Sequence, residues 1–233
     1  MMQTVILTAG RGARMGDVTA EIPKPLLPVA GKTLLEYKFD AMPEEIDEIL
    51  IVVGWMGEKI QERFGTSYKN MHVRYIEQET LDGTMGALSR TKDILTGRFL
   101  VMMGDDIYSR EDAEKCLRNA DGWSLLVQKS YTLRAGGNVQ IDSENKVIGI
   151  LEGEHSGPRL ACTNMFVLDT RIFQFPMVPK ATGSAEFGLP QTVVAAAKSL
   201  NVPLYAIPAT LWIQITSAED IQRAEEMLGK AAL

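Results

Sequence analysis

The residues best suited to chemistry come early. Gly10-Arg11-Gly12-Ala13-Arg14-Met15-Gly16 places three glycines and two arginines two residues after the apolar run Val5-Ile6-Leu7. Glycine lets backbone amides turn inward and approach a ligand closely. Successive inward amides make an anion-binding nest, and arginine adds fixed charge with a planar fork suited to phosphate. Lys24 follows between Pro23 and Pro25, which stiffen the backbone that presents the ammonium. This chemistry is a grip on a nucleoside triphosphate. Two common glycine-rich loops do not fit. A dinucleotide loop needs Gly-x-Gly-x-x-Gly, but Met15 takes the last place, and a Gly-Lys-Ser/Thr phosphate loop is absent.

These residues need a scaffold, and the hydrophobic pattern supplies one. Residues 3–8 are apolar on both faces and predict a buried strand. A helix is expected over Thr33 to Met42, ended by Pro43, then a strand over Ile49 to Val53, a helix over Glu58 to Phe64 and a strand over His72 to Glu77. A helix over Gly83 to Leu95 and a strand over Phe99 to Met103 complete the first half, and that strand runs into Gly104-Asp105-Asp106. Strands alternating with helices predict a doubly wound α/β fold with a mixed, mainly parallel sheet and helices on both faces. Ligands of such sheets sit beyond the carboxyl ends of the strands, where both the glycine-rich loop and Asp105 fall.

The second half changes rhythm. Strands are expected over Trp123 to Lys129, Gly137 to Asp142 and Val147 to Leu151, with Asn145 in a hairpin turn, and over Arg159 to Leu168. An alanine-rich helix over Leu189 to Leu200, short strands over Leu204 to Ile207 and Thr210 to Ile215, and a last helix capped by Ser217 follow. No repeat, linker or charge run divides the chain. A single domain over residues 1–233 is expected, with a nucleotide-binding half at about 1–120 and an acceptor-binding half at about 121–233.

Composition narrows the function. The formal charge is -6 and no basic stripe appears, which argues against nucleic acid as a partner. No apolar run reaches the length of a membrane span, and the N-terminus does not read as a secretion signal. Cys116 and Cys162 lack metal-site spacing and read as buried free thiols of a cytoplasmic protein. His72 and His155 are too isolated for a histidine metal site. No stretch marks an interface, so a homo-oligomer stays open.

The stretch from Leu7 to Tyr37 closely resembles the signature of the sugar-nucleotide pyrophosphorylases, the sugar-1-phosphate nucleotidyltransferases. Gly10, Gly12, Arg14, Thr19, Pro23, Lys24, Pro25, Leu26, Pro28, Val29, Gly31, Lys32 and Tyr37 all match. The resemblance implies a Rossmann-like nucleotidyltransferase fold and Mg²⁺-dependent transfer of a nucleotidyl group to a sugar 1-phosphate, releasing pyrophosphate. It places the amides of Ala9, Gly10, Gly12 and Ala13 on the phosphates, Arg14 on the leaving pyrophosphate and Lys24 on the α-phosphate. Gln78, Gly83 and Thr84 resemble the base-reading segment, with glutamine closer to the uridylyl- and thymidylyltransferases; a surface glutamine before a loop is the plainer alternative. Asp105 resembles the Mg²⁺-binding aspartate, and Asp106 has a weaker claim. Gly137, Glu152 and Asn164 stand where the sugar is held.

The resemblance frays in the second half. Gly153 replaces a lysine that binds the sugar phosphate. Asn164 stands where glycine is usual. Gln214, in Leu211-Trp212-Ile213-Gln214-Ile215-Thr216, replaces the second metal-binding aspartate. UTP or dTTP is the expected donor. The alternatives are an impaired homologue that binds nucleotide or NDP-sugar and regulates a partner, and a cytidylyltransferase for a non-sugar phosphate.

Overall fold

The computed structural model describes residues 2–131, 137–153 and 157–231; His155 lies outside them. In chain order the elements are β1 (Met2–Leu7), a 3-10 stretch (Ala13–Thr19), a 3-10 turn (Lys24–Leu26), β2 (Pro28–Val29), β3 (Lys32–Thr33), α1 (Leu34–Asp40), β4 (Ile46–Val53), α2 (Gly57–Phe64), β5 (Ser67–Tyr68), β6 (Met71–Glu77) and α3 (Thr84–Ser89). Then come β7 (Arg98–Met103), β8 (Asp106–Tyr108), α4 (Arg110–Arg118), β9 (Trp123–Ser130), β10 (Asn138–Ile141), β11 (Val147–Leu151) and β12 (Arg159–Asp169). A 3-10 turn (Thr170–Gln174), α5 (Leu189–Ser199), β13 (Leu204–Pro208), β14 (Trp212–Gln214) and α6 (Ala218–Ala231) complete the chain.

Among the described residues the main sheet has ten strands and is mixed. Strands β6, β4, β1 and β7 are parallel neighbours. β12 joins β7 antiparallel and carries β9 on its other edge, and β13 runs parallel to β9. β10 and β11 form the expected hairpin beside the first part of β12.

Alternation along the central strands divides the core in two. Val5, Leu7, Leu50, Val52, Phe99 and Val101 face α3 and α5, meeting Met85, Leu88, Leu189 and Val193. Ile6, Ile49, Ile51, Leu100 and Met102 face α1, α2 and α4, meeting Leu35, Phe39, Ile60, Phe64 and Cys116. Each such side chain, fully buried, contributes about 1.5–3 kcal/mol, so β1 is fixed from both faces and its C-terminal end is a rigid mount. A third, smaller cluster lies off the sheet. Met15, Leu27, Val29 and Leu34 pack there against Ile107, Ile213, Ile215 and Ala224, so β14 and α6 seat the glycine-rich stretch.

The structure departs from sequence expectation in several places. The helix expected to Leu95 ends at Ser89. Ser89 Oγ donates to Gly86 O and Thr91 Oγ1 to Leu88 O, each at 2.7 Å, and such side-chain bonds compete with helix continuation. β8 and α4 were not expected. β8 pairs only with β14 in a separate ribbon, and α4 buries just Asp112, Ala113 and Cys116, a weak apolar stripe. The strand expected from Thr210 starts at Trp212, because the Thr210 and Leu211 amides donate to the buried Asp112 carboxylate at 2.8 and 3.0 Å. No helix of the described residues is long and apolar enough to cross a membrane.

Candidate active site

The glycine-rich loop leaves β1 at the carboxyl edge of the sheet. The Ala9 carbonyl accepts from Trp55 N at 3.1 Å, and Gly54 passes so close that a Cβ there would lie 2.7 Å from that oxygen. Gly12 takes a φ of 65°, and its missing side chain leaves room for Lys24, whose Cβ would lie 3.2 Å from a residue-12 Cβ. Gly10, Ala13 and Arg14 are exposed toward solvent. Arg11, also exposed, is one of the two arginines of the loop but was given no separate role from the sequence; its guanidinium lies 5.0 Å from the Trp55 ring centroid, a cation–π distance.

Lys24 and Asp105 are 81 positions apart in sequence and meet here, with Lys24 Nζ donating to Asp105 Oδ2 at 2.6 Å. The lysine side chain is 7% exposed and the carboxylate 30%, so the pair is held from below and open from above. Gly104 N donates to Leu7 O at 2.9 Å, which places Asp105 at the end of the strand beside the loop. Beneath lies a buried polar layer. Asp106 Oδ2 accepts from Trp212 Nε1 at 3.0 Å and from Tyr108 Oη at 3.2 Å. Lys38 is fully buried, 5.3 Å from the Tyr108 ring centroid. Burial lowers its pKa against the pull of Asp106 and Asp105. Burial, helped by the Asp105 charge, raises that of Asp106. Lys38 was missed because its spacing on α1 reads as the polar side of an amphipathic helix. Gln214 pairs with Asp106 across the β8–β14 ribbon, one residue from Asp105.

Gln78 is buried at 4% exposure, so the surface alternative falls. Its Nε2 donates to Asp82 Oδ1 at 2.8 Å and to Gly83 O at 3.1 Å. Gly83 has φ 99° and ψ -179°, a conformation nearly confined to glycine. Asp82 O accepts from Phe187 N at 2.7 Å, and Met85 N donates to Phe187 O at 3.0 Å. Thr84 Oγ1 accepts from Leu189 N at 2.9 Å, so its hydroxyl holds the start of α5.

The acceptor-side residues form a third group. A Cβ on Gly137 would lie 3.2 Å from Cys162 Cβ and 3.3 Å from Glu152 Oε1. Glu152 Oε1 accepts from Gln191 Nε2 at 3.0 Å, which adds Gln191 to the group. Asn164 sits in an irregularity of β12 with φ 59°, a backbone that asparagine tolerates better than most residues; this is why it can stand where glycine is usual. Gly153 has φ 124°, so a lysine at this point would be strained.

Among the described residues no group of three or more His, Cys, Asp or Glu could hold a metal ion. A small hard cation that takes most of its ligands from phosphates and water does not need such a group; Asp105 is the carboxylate here that could offer it an oxygen, 30% exposed at the end of β7. A cavity of about 390 Å³ between the end of α3 and Phe173, Phe175 and Met177 contains none of these residues.

The nucleotidyl transferase family model matches residues 3–225. The bifunctional protein GlmU of Methanocaldococcus jannaschii is 31% identical over 174 residues, covering 74% of this chain and 41% of that protein. The chain thus spans less than half the length of the archaeal GlmU relatives it matches. The UTP–glucose-1-phosphate uridylyltransferase AglF of Haloferax volcanii is 25% identical and is matched over nearly its full length, 97% of this chain and 96% of that one. A crystal structure described as a glucose-1-phosphate thymidylyltransferase from Bacillus anthracis superposes with a TM-score of 0.81 at 22% identity, covering 97% and 95% of the two chains; that likeness speaks to the fold.

Proposed function

The chain belongs to the nucleotidyl transferase family, and from this premise we propose that it transfers a nucleotidyl group from an NTP, UTP or dTTP in preference, to a sugar 1-phosphate. The products are an NDP-sugar and pyrophosphate. The observation that carries the proposal is the Lys24–Asp105 pair, at 2.6 Å, between the phosphate loop and the end of a central strand. A phosphate oxygen of the acceptor attacks the α-phosphorus, and the bond to the bridging oxygen breaks, the electron pair leaving with pyrophosphate. Such a reaction needs alignment and charge neutralisation. The amides of Ala9, Gly10, Gly12 and Ala13 and the Arg14 side chain hold the β- and γ-phosphates. Lys24 turns from Asp105 to the α-phosphate, where negative charge builds. Bound Mg²⁺ would supply further neutralisation across the phosphates, held by Asp105 and more weakly by Gln214. Gln78 and Gly83 take the base, with Thr84 fixing the loop. Gly137, Glu152 and Asn164 face the acceptor. A cytoplasmic site of action, with NTP and sugar phosphate as the partners, belongs to the same proposal.

A second outcome is favoured by Gln214 and by the Gly153 backbone: an acceptor other than a sugar phosphate, or a homologue that binds nucleotide with little turnover. One experiment separates these. The protein is incubated with Mg²⁺, each common NTP and a panel of sugar, polyol and choline phosphates, and pyrophosphate release is measured. Release with UTP or dTTP and a sugar 1-phosphate supports the proposal. Release with CTP and a polyol or choline phosphate alone moves it to the second acceptor class. Nucleotide binding with no release from any pair defeats the enzyme proposal.

A further inference from the structure

Asp82 has no role in the reaction as described above, yet its carboxylate is engaged on both oxygens. Oδ1 accepts from Gln78 Nε2 at 2.8 Å, and Oδ2 accepts from Arg90 Nη2 at 3.1 Å. The neighbourhood is built around this carboxylate. A Cβ on Gly86 would lie 2.0 Å from Asp82 Oδ1, so only glycine there admits it. The Asp82 backbone is tied in turn by Phe187 N at 2.7 Å.

The consequence falls on Gln78. A primary amide has two N–H hydrogens and one acceptor oxygen. Both partners of Nε2, Asp82 Oδ1 and Gly83 O at 3.1 Å, can only accept, so the orientation of the amide is fixed and Nε2 is fully occupied. Only Oε1 remains for a ligand. Uracil, thymine and guanine carry a ring N–H on the pairing edge and can donate to it. Cytosine and adenine carry a ring nitrogen lone pair at that place, which would set two acceptors face to face.

We propose that Asp82, held by Arg90, is the positioning residue that makes Gln78 an acceptor-only reader and thereby selects nucleotides whose base has a ring N–H. This rests on the nucleotidyl transfer proposal and deepens it. Replacing Asp82 by asparagine keeps the shape and changes the logic. Arg90 would claim the asparagine carbonyl and the asparagine NH₂ would face Gln78, leaving Gly83 O as the one acceptor that still holds the Gln78 amide in its present orientation.

The test is titration calorimetry of UTP, dTTP, GTP, CTP and ATP, each with Mg²⁺, against the wild type, Asp82→Asn and Arg90→Met, with unfolding midpoints measured alongside. The wild type should bind UTP at least about tenfold more tightly than CTP, about 1.4 kcal/mol. Asp82→Asn should shrink that ratio to about threefold or less, even if affinity falls for both. Arg90→Met, which leaves Gln78 and Asp82 in place, should shrink it by a smaller factor and serves as the test if Asp82→Asn does not fold. An unchanged ratio in the folded variants overturns the inference, as does a wild type with no base preference. Pyrophosphate release by the wild type alongside an unchanged ratio would remove only the role of Asp82. A wild type that binds no nucleotide would remove both.

Discussion

Gly83→Ala is the substitution whose cost can be worked out most directly. At φ 99° and ψ -179° any side chain incurs about 1–3 kcal/mol of backbone strain. The added Cβ would also lie 2.3 Å from Phe187 O and 2.6 Å from Phe187 N. Those atoms cannot swing away as a flexible side chain can, because they bond Met85 N at 3.0 Å and Asp82 O at 2.7 Å. Relieving the overlap stretches both bonds, at about 0.5–1.5 kcal/mol each. The sum centres on about 4 kcal/mol. In a domain of this size each kcal/mol lowers the unfolding midpoint by about 2–4 °C, so a fall of about 8–16 °C is expected. Gly97→Ala is the control. Gly97 also has a positive φ, 64°, but a Cβ there meets nothing within 4 Å, so only the strain of about 1–2 kcal/mol applies. Thermal and urea unfolding followed by circular dichroism measure both variants. If Gly83→Ala costs no more than Gly97→Ala, the close approach of Phe187 is wrong, and the mount for Gln78 with it.

Lys24→Ala should lower kcat by about 10²–10³-fold, the scale of losing one charge stabiliser at a reacting phosphate, with the far-UV circular dichroism unchanged; near-wild-type turnover would remove Lys24 from the chemistry. Gln214→Asp restores a carboxylate opposite Asp106 in the β8–β14 ribbon; it should lower the Mg²⁺ concentration for half-maximal rate severalfold, and identical Mg²⁺ titrations would place Gln214 away from the metal. Burial raises both thiols, Cys162 to about 12 and Cys116 further. Neither should react with an aromatic disulfide reagent on mixing at pH 8, whereas two thiols per chain should react in denaturant.

The fold was legible wherever burial dictated pattern. Strands such as β1, β4 and β7 are apolar on both faces because helices cover both sides of the sheet, and Thr33 announces α1 through a capping box with Glu36. What stayed illegible depended on partners remote in sequence. The three-residue β8 is set by β14, 106 positions away at the Asp106–Trp212 contact. Gln78 was legible as a hydrogen-bonding residue, but only the fold shows Asp82 and Gly83 fixing which way its amide faces. Lys38 gave no signal, because a buried lysine and an exposed one share the same letter, and only the folded arrangement sets it beside Asp106. Gly153 read as a missing lysine, and only the fold shows its φ of 124°, a backbone that favours glycine.

The third hydrophobic cluster bears on how the proposed nucleotide grip is assembled. Met15, Leu27 and Val29 are sealed by Ile213, Ile215 and Ala224, and Ala30 N donates to Glu225 Oε1 across a separation of 195 positions at 3.1 Å. Closing a loop costs entropy before any contact rewards it, by an amount that grows only slowly with length. The sheet can form from nearer neighbours, whereas the phosphate stretch is seated only when α6 docks. The seating of the glycine-rich stretch therefore depends on contacts from the far end of the chain, and loss of those contacts need not disturb the sheet. A triphosphate that binds the seated form draws α6 down with it, so nucleotide occupancy and the anchoring of α6 form one equilibrium.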